Sequence, residues 1–210
     1  MSRPILPRGL YAITDSELSG TTLVQSVAQA IQGGAVMIQY RDKSTDAGQR
    51  LWQANDLQML CQSLRVPLII NDDIELAVQC RAAGVHLGKD DASIEQARAA
   101  LGEQAIIGVS CYASLPHAID AQNHGADYVA FGSFFASPTK PDAARADLEL
   151  LRAARAALSV PIAAIGGITP DNGRALVAAG ADLLAVISGV FGTPAVSGAA
   201  RRYAALFAQA

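Results

Sequence analysis

Several features are scarce or absent in this 210-residue sequence, and each absence excludes a class of protein. Only 17% of the residues are charged and the formal net charge is −3, so a basic nucleic-acid-binding surface is not expected. The longest apolar runs are far shorter than the ~20 residues that span a bilayer, so no membrane segment is expected either. Hydrophobic residues make up 51% of the chain, which excludes a disordered protein.

Cysteine is also scarce. The three cysteines, Cys61, Cys80 and Cys111, form neither an even disulfide framework nor a CxxC pair. The N-terminal segment MSRPILPRGLYAIT has no signal-peptide core, because charge and proline interrupt it. We therefore expect reduced thiols in a cytoplasmic protein. The three histidines lack ligand spacing, which argues against structural zinc.

One pattern repeats along the whole chain. A short apolar run ends in small or polar residues, and an alanine-rich stretch with helical spacing follows. The apolar runs are continuous rather than alternating, which is typical of parallel strands buried on both faces. Glycine after the helical stretches and proline at their starts are the expected end signals. The predicted strands are residues 10–14, 36–40, 67–71, 84–87, 106–110, 128–131, 161–165 and 183–187, and helices with clear ends are 22–33, 74–83, 116–124 and 170–179.

Eight such units predict an α/β fold, a single-domain (β/α)8 TIM barrel over residues 1–210. A doubly wound open sheet is the alternative. The sequence has neither a GxGxxG after the first strand nor a GxxxxGK[ST] loop, which weakens the nucleotide-binding versions of that alternative.

Polar residues gather where the predicted strands end, which is the catalytic end of a barrel. All three lysines, Lys43, Lys89 and Lys140, fall in the loops predicted there, although the chain has 16 basic residues. A compact ammonium group suits a phosphate oxygen. The alternative is that loops are simply polar.

Two carboxylates follow neighbouring predicted strands. Asp72 and Asp91 lie at the ends of the third and fourth strands, where they can share one hard cation such as Mg²⁺. The alternative is that Asp72, Asp73 or Asp91 caps the N-terminus of the following helix, and spacing alone does not decide between the two.

Cations and glycines suggest two anion sites at the same end. Arg41, Lys43 and Lys140 could meet beside the metal and neutralise a diphosphate, or they could be solvated loop charges. The loops 166–169 and 187–189 follow the last two strands, where many barrels bind phosphate on backbone N–H groups. The alternative for these glycines is tight turning.

Two residues look reactive but favour an ordinary interpretation. His86 ends a predicted strand, and a lone histidine there is more often packed or hydrogen-bonded than catalytic. Cys111 has no apparent basic partner in the sequence, so a catalytic thiol is not expected.

Seven segments in order resemble the thiamine-phosphate synthase family: QYRDK (39–43), INDD (70–73), VHLGKDD (85–91), IIGVS (106–110), SPTK (137–140), AIGGIT (164–169) and AVISGVF (185–191). The resemblance covers residues 9–191. It implies a barrel enzyme that joins hydroxymethylpyrimidine diphosphate to hydroxyethylthiazole phosphate (or its carboxylated form), requires Mg²⁺, and yields thiamine phosphate and diphosphate. Its implied partners are therefore small-molecule substrates, with no nucleic acid and no membrane.

The resemblance also implies a role for each matching residue. The catalytic residues would be Arg41, Ser110 and Lys140. Asp72 and Asp91 would hold Mg²⁺. The pyrimidine diphosphate would contact Gln39, Arg41, Lys43, Asn71, Ser110 and Lys140, and the thiazole phosphate would contact Ser137, Thr139, Gly167, Ile187 and Ser188. The chain departs from the usual family pattern at Lys89, at Cys111 and Tyr112, and at Ala136 and Ser137.

Three other functions remain open at this point. A thiazole tautomerase would transfer a proton without joining two rings, and would not need a diphosphate and metal set. An aldolase would need a lysine in a desolvated strand interior. A non-catalytic barrel that binds a phosphorylated ligand would not release diphosphate.

Overall fold

A computed structural model describes residues 5–15, 22–89, 91–135 and 146–208. Its strands are parallel and close into a barrel in chain order. The predicted (β/α)8 TIM barrel is thus confirmed. The strands are β1 (Gly9–Ile13), β2 (Ala35–Tyr40), β3 (Leu68–Asn71), β4 (Gly84–Leu87), β5 (Ile106–Tyr112), β6 (Tyr128–Phe131), β7 (Ile162–Ile165) and β8 (Leu183–Val186).

Helices alternate with the strands, and side-chain caps fix where many of them begin. Thr169, for example, forms a capping box with Asn172 at the start of the helix that proline opens at position 170. The helices are α1 (Leu23–Gln32), α2 (Ala47–Leu64), α3 (Ile74–Cys80), α4 (Ile94–Leu101), α5 (Leu115–Asn123), α6 (Leu148–Ala157), α7 (Pro170–Ala178), α8 (Ser188–Phe191) and α9 (Val196–Ala204). Within the described ranges, no helix combines the length and hydrophobicity that crossing a membrane requires.

Side chains alternate between two buried layers along each strand, as the two-residue period of a strand requires. On β1, Tyr11 and Ile13 point into the barrel interior, whereas Leu10 and Ala12 pack outward against the helices. Both layers are buried, which explains why the strands read as continuous apolar runs.

The fifth strand is two residues longer than predicted, because its pairing with β6 is irregular. Ser110 pairs with Ala130 and Tyr112 with Phe131, so one extra residue is accommodated at Cys111. Such a bulge changes where side chains point, and bulges often lie next to active sites.

Two aspartates accept hydrogen bonds from neighbouring elements at the amino ends of the strands. Asp127 Oδ2 accepts hydrogen bonds from Arg98 Nη2 at 2.7 Å and from the backbone nitrogen of Ile107 at 2.8 Å. The Gly-Ala-Asp sequence recurs at 180–182, where Asp182 Oδ2 accepts from Arg155 Nη1 at 2.9 Å. This repeat therefore has a structural role at the end of the barrel opposite the predicted site.

Candidate active site

Asp72 lies at the carboxyl end of β3 and is held by neighbours on both sides. Its Oδ2 accepts hydrogen bonds from Lys43 Nζ and from Asn71 Nδ2, each at 2.6 Å. Its φ of 63° is in the left-handed region, which an aspartate tolerates better than most residues. Burial disfavours the charged carboxylate, but hydrogen bonds from Lys43 and Asp91 outweigh burial and lower the pKa of Asp72.

Asp91 meets Asp72 from the loop after β4. Its Oδ2 accepts a hydrogen bond from the Gly88 backbone nitrogen at 2.6 Å, and its side chain is hydrogen-bonded to that of Asp72. Burial and then the neighbouring Asp72 carboxylate raise the pKa of Asp91. The structure therefore brings together the two carboxylates predicted to share a cation.

The carboxylates of Asp72 and Asp91 are suitable ligands for Mg²⁺. Within the described ranges, no group of three or more His, Cys, Asp or Glu side chains is arranged to hold a metal ion. A protein contribution of two carboxylates, completed by water and substrate phosphate, is what Mg²⁺ commonly accepts.

The alternative of N-capping is confirmed for Asp73 and is wrong for Asp72 and Asp91. The residue that caps α3 is Asp73, whose Oδ1 accepts from the Leu76 nitrogen at 2.8 Å. Ser93, rather than Asp91, caps α4. Asp73 also forms an ion pair with Arg50 Nη2 at 2.6 Å, a contact that the sequence analysis missed.

The predicted cations lie beside carboxylates. A cavity of about 290 Å³ opens beside Asp72, and its lining includes Lys43 and Asn71. Arg41 Nη1 lies 3.4 Å from Asp15 Oδ2. Lys140 falls outside the described residues. The full lining is Asp42, Lys43, Ser44, Arg50, Asn71, Asp72 and Asp73.

A chain of hydrogen bonds crosses the barrel interior below this cavity. Gln39 Nε2 lies 2.6 Å from Tyr11 Oη, which lies 2.8 Å from Tyr128 Oη. Tyr128 Oη lies 2.9 Å from His86 Nδ1. His86 Nε2 lies 2.9 Å from Ser110 Oγ. The expectation that His86 is hydrogen-bonded is confirmed, whereas neither tyrosine was predicted to approach the site.

His86 is a neutral imidazole in this setting. Burial lowers the pKa of His86 to about 4, although the Asp72 charge opposes that shift. The ring therefore carries one hydrogen at neutral pH, and its two nitrogens differ in role.

The loops after β7 and β8 contain the glycines that were predicted to bind phosphate. Gly166 and Gly167 have φ values of 104° and 61°, which glycine adopts freely. The hydroxyl of Tyr203 on α9 donates to the Ile168 carbonyl at 3.0 Å, and a Cβ at Gly189 would overlap that hydroxyl. One side chain thus lies against both loops, which also contain Ile187 and Ser188.

Two predicted phosphate contacts, Ser137 and Thr139, fall outside the described residues. Their assignment to the thiazole phosphate therefore stays a prediction.

The three cysteines and the two lysines that the structure describes do not support covalent chemistry. Cys61, Cys80 and Cys111 are buried free thiols. Burial raises the pKa of the Cys111 thiol to about 12, so a thiolate is disfavoured. Lys43 and Lys89 are exposed, so neither of them is the desolvated lysine that a Schiff-base aldolase requires.

Comparison with known proteins now decides the family. Residues 10–190 match the family described as "Thiamine monophosphate synthase". The chain belongs to this family. It is an enzyme, a transferase of thiamine biosynthesis. The "Thiamine-phosphate synthase" of Methylococcus capsulatus is 50% identical over 207 residues, covering 99% of this chain and 92% of that protein. The protein of that name from Thiobacillus denitrificans is 52% identical over 202 residues, covering 96% of each.

Solved structures agree with the family assignment. The "Thiamine phosphate pyrophosphorylase" of Pyrococcus furiosus superposes with a TM-score of 0.87 at 35% identity, covering 96% of each chain. A thiamine phosphate pyrophosphorylase from Bacteroides thetaiotaomicron has a TM-score of 0.68 at 16% identity and covers 94% of this chain and 97% of that one; at this identity it shows the fold alone.

Proposed function

We propose that this member of the thiamine monophosphate synthase family joins hydroxymethylpyrimidine diphosphate to hydroxyethylthiazole phosphate, or to its carboxylated form. The products are thiamine phosphate and diphosphate, together with carbon dioxide when the carboxylated form is the substrate. The observation that carries the proposal is the cluster at the ends of β2, β3 and β4, where Lys43, Asp72 and Asp91 lie in hydrogen-bond contact beside a cavity. Two carboxylates with a cation suit a metal-bound diphosphate.

The reaction needs charge stabilisation more than proton transfer. The bond from the pyrimidine methylene carbon to the diphosphate oxygen breaks, and its electron pair leaves with the diphosphate. The electron-rich aminopyrimidine stabilises the resulting cation, and the thiazole nitrogen donates its pair to the methylene carbon. The enzyme therefore has to take up the charge of the leaving group and align the two rings.

Residues at the ends of β2, β3 and β5 would take up that charge. Arg41 and Lys43 would bind diphosphate oxygens, and Ser110 would donate a hydrogen bond from the opposite side of the mouth. Asn71 and Gln39 would contact the same substrate, and Lys140 completes the set on the resemblance alone. Bound at Asp72 and Asp91, Mg²⁺ would act as a Lewis acid toward the leaving diphosphate.

Arg41 and Lys43 both pair with carboxylates. Lys43 Nζ contacts Asp72 Oδ2 at 2.6 Å, and Arg41 contacts Asp15 at 3.4 Å. Lys43 also lines the cavity. Substrate binding would exchange carboxylate partners for phosphate oxygens.

The second ring would be aligned through its phosphate. Gly167 lies in the loop after β7, and Ile187 and Ser188 follow β8, the neighbouring strand. Backbone N–H groups in such loops bind phosphate in many barrels. Ser137 and Thr139 would add hydroxyl groups from the loop after β6. We also propose a cytoplasmic location, in keeping with the three free thiols.

The test is product formation with each component omitted in turn. The purified chain is incubated with both heterocycles and Mg²⁺, and thiamine phosphate is identified by chromatography and mass. Formation that needs both heterocycles supports the proposal. A parallel sample contains the carboxylated thiazole phosphate alone; its isomerisation, without ring joining in the full mixture, would instead indicate a tautomerase. Tight binding of the thiazole phosphate with neither reaction would indicate a non-catalytic phosphate-binding barrel.

A further inference from the structure

The hydrogen bonds through the barrel interior have a direction, which one residue determines. The side-chain nitrogen of Gln39 can only donate, so Tyr11 Oη accepts at 2.6 Å. The Tyr11 hydroxyl hydrogen then points at Tyr128 Oη, 2.8 Å away. Tyr128 in turn donates its hydrogen to His86 Nδ1 at 2.9 Å.

The direction continues through the imidazole. Because Nδ1 accepts the Tyr128 hydrogen bond, it carries no hydrogen, and the single hydrogen of the imidazole lies on Nε2. That hydrogen is donated to Ser110 Oγ, 2.9 Å away. The Ser110 oxygen is therefore an acceptor inside the protein, and its own hydrogen is free to point elsewhere.

We propose that Tyr11 and Tyr128 are positioning residues that fix His86 as the Nε2–H tautomer and thereby present the Ser110 hydroxyl as a donor to the substrate. The inference deepens the proposed function and rests on it for the identity of the substrate.

Packing supports this arrangement because it fixes the rings. Tyr11 and Tyr128 are fully buried, at 1% and 0% exposure. Their ring centroids lie 5.9 Å apart, edge to face, and the Tyr128 ring stacks on His86 at 5.5 Å. Gly108 pairs with both His86 and Tyr128 across neighbouring strands, and a Cβ at Gly108 would overlap the Tyr128 ring. Tyr128 reaches His86 because Gly108 leaves room.

The direction matters for the chemistry of a leaving diphosphate. A hydroxyl that donates stabilises the negative charge that develops as the bond breaks. If Ser110 instead donated its hydrogen to His86, its lone pairs would face the diphosphate oxygens and would not stabilise their negative charge. The interior hydrogen bonds thus select the catalytically useful orientation of Ser110 before the substrate arrives.

The direct test is the tautomer of His86, measured by nitrogen NMR on the unliganded protein. The chain has three histidines, and His117 and His124 are the other two, so a histidine-labelled sample is simple to assign. The expected wild-type result is an Nε2–H tautomer for His86. Tyr128→Phe and Tyr11→Phe should each give a mixture of tautomers, the second without touching the imidazole. Two variants keep the test decisive if one fails to fold.

A matched control removes a buried tyrosine hydroxyl elsewhere. Tyr203→Phe loses the hydrogen bond to the Ile168 carbonyl and should leave the His86 signals unchanged. A wild-type Nδ1–H tautomer would overturn the inference, as would an Nε2–H tautomer that persists fully in both Tyr11→Phe and Tyr128→Phe.

Kinetics test whether the tyrosine acts through the serine. Tyr128→Phe should lower kcat about tenfold, the size of one well-placed hydrogen bond, and change KM much less. In a Ser110→Ala background the same substitution should change kcat less than about twofold, because the group it positions is gone. An equal loss in both backgrounds would show a merely structural role. If the wild type makes no thiamine phosphate, the proposed function fails, yet the tautomer still decides the inference.

Discussion

The Nε2 nitrogen of His86 lies 2.9 Å from the Oγ of Ser110. A residue expected to be packed or hydrogen-bonded is therefore bonded to one expected to touch the substrate. The carboxyl ends of β4 and β5 are thus linked by side chains as well as by their backbone ladder. This link makes the barrel interior part of the site.

Arg41→Ala should lower kcat more than it raises KM. If Arg41 meets the leaving group chiefly in the transition state, the loss should be about 2–4 kcal/mol, or roughly 30-fold to 1,000-fold in rate. Steady-state kinetics with the pyrimidine diphosphate varied gives both constants. Arg152→Ala, an exposed arginine on α6, is the control and should behave as wild type. Unchanged turnover in Arg41→Ala would contradict the assigned role.

Substituting the paired carboxylates should raise the Mg²⁺ requirement. Asp72→Asn or Asp91→Asn removes one of the two proposed charged ligands, so the Mg²⁺ concentration for half-maximal activity should rise at least about tenfold. Activity is measured across a Mg²⁺ titration.

The neighbouring carboxylate provides a control for the metal titration. Asp73 caps α3 and pairs with Arg50, so Asp73→Asn should lower the melting temperature by a few degrees without changing the Mg²⁺ requirement. Equal shifts in the Mg²⁺ requirement for Asp72→Asn and Asp73→Asn would contradict a specific metal-binding role for the Asp72 carboxylate.

Two glycine substitutions should change stability in opposite directions. Gly108→Ala forces a methyl group into the Tyr128 ring and should lower the free energy of unfolding by about 1–3 kcal/mol. Gly48→Ala, in the exposed first turn of α2, should raise it by up to about 0.5 kcal/mol, because alanine favours the helix. Urea denaturation measures both. A neutral Gly108→Ala would show that Tyr128 is not seated as described.

The two aspartates at the amino ends of the strands should differ in their contribution to stability. The Arg98 and Asp127 side chains are 13% and 3% exposed, so Asp127→Asn leaves a largely buried guanidinium without its charge partner. The expected loss is about 3 kcal/mol. In the second pair Arg155 is 36% exposed, so water can replace the partner and Asp182→Asn should cost about 1 kcal/mol. Chemical denaturation measures the free energy of unfolding of both variants. Equal losses in the two variants would contradict the argument from burial.

The barrel could be predicted from the sequence because each strand is buried on both faces. A run such as IIGVS (106–110) is continuous and apolar, and a helix with clear end signals follows four of the eight predicted strands. Strand order then followed from the fold class, and with it the placement of Asp72 and Asp91 at neighbouring strand ends. The two residues added to β5 could not be predicted, because the bulge at Cys111 arises from pairing with β6.

The finer features of the site could be recognised only in the three-dimensional structure. Spacing alone could not decide whether Asp72 or Asp73 caps α3. The structure excludes Asp72 as the cap, because its φ is positive and its side chain contacts Lys43. Tyr11 and Tyr128 were not anticipated, since they lie 117 residues apart and meet only across a closed barrel. The available signal was a polar ring at interior positions of two strands, β1 and β6, with a glycine at position 108 on β5 opposite Tyr128.

Diphosphate release by the purified chain, measured with both heterocycles present, in Mg²⁺ and again in chelator, is the decisive experiment. Release is expected only with both heterocycles and Mg²⁺, with one thiamine phosphate formed for each diphosphate released. Release without thiamine phosphate, or at the same rate in chelator, would contradict the assignment of the Asp72 and Asp91 cluster to a metal-assisted ring-joining reaction.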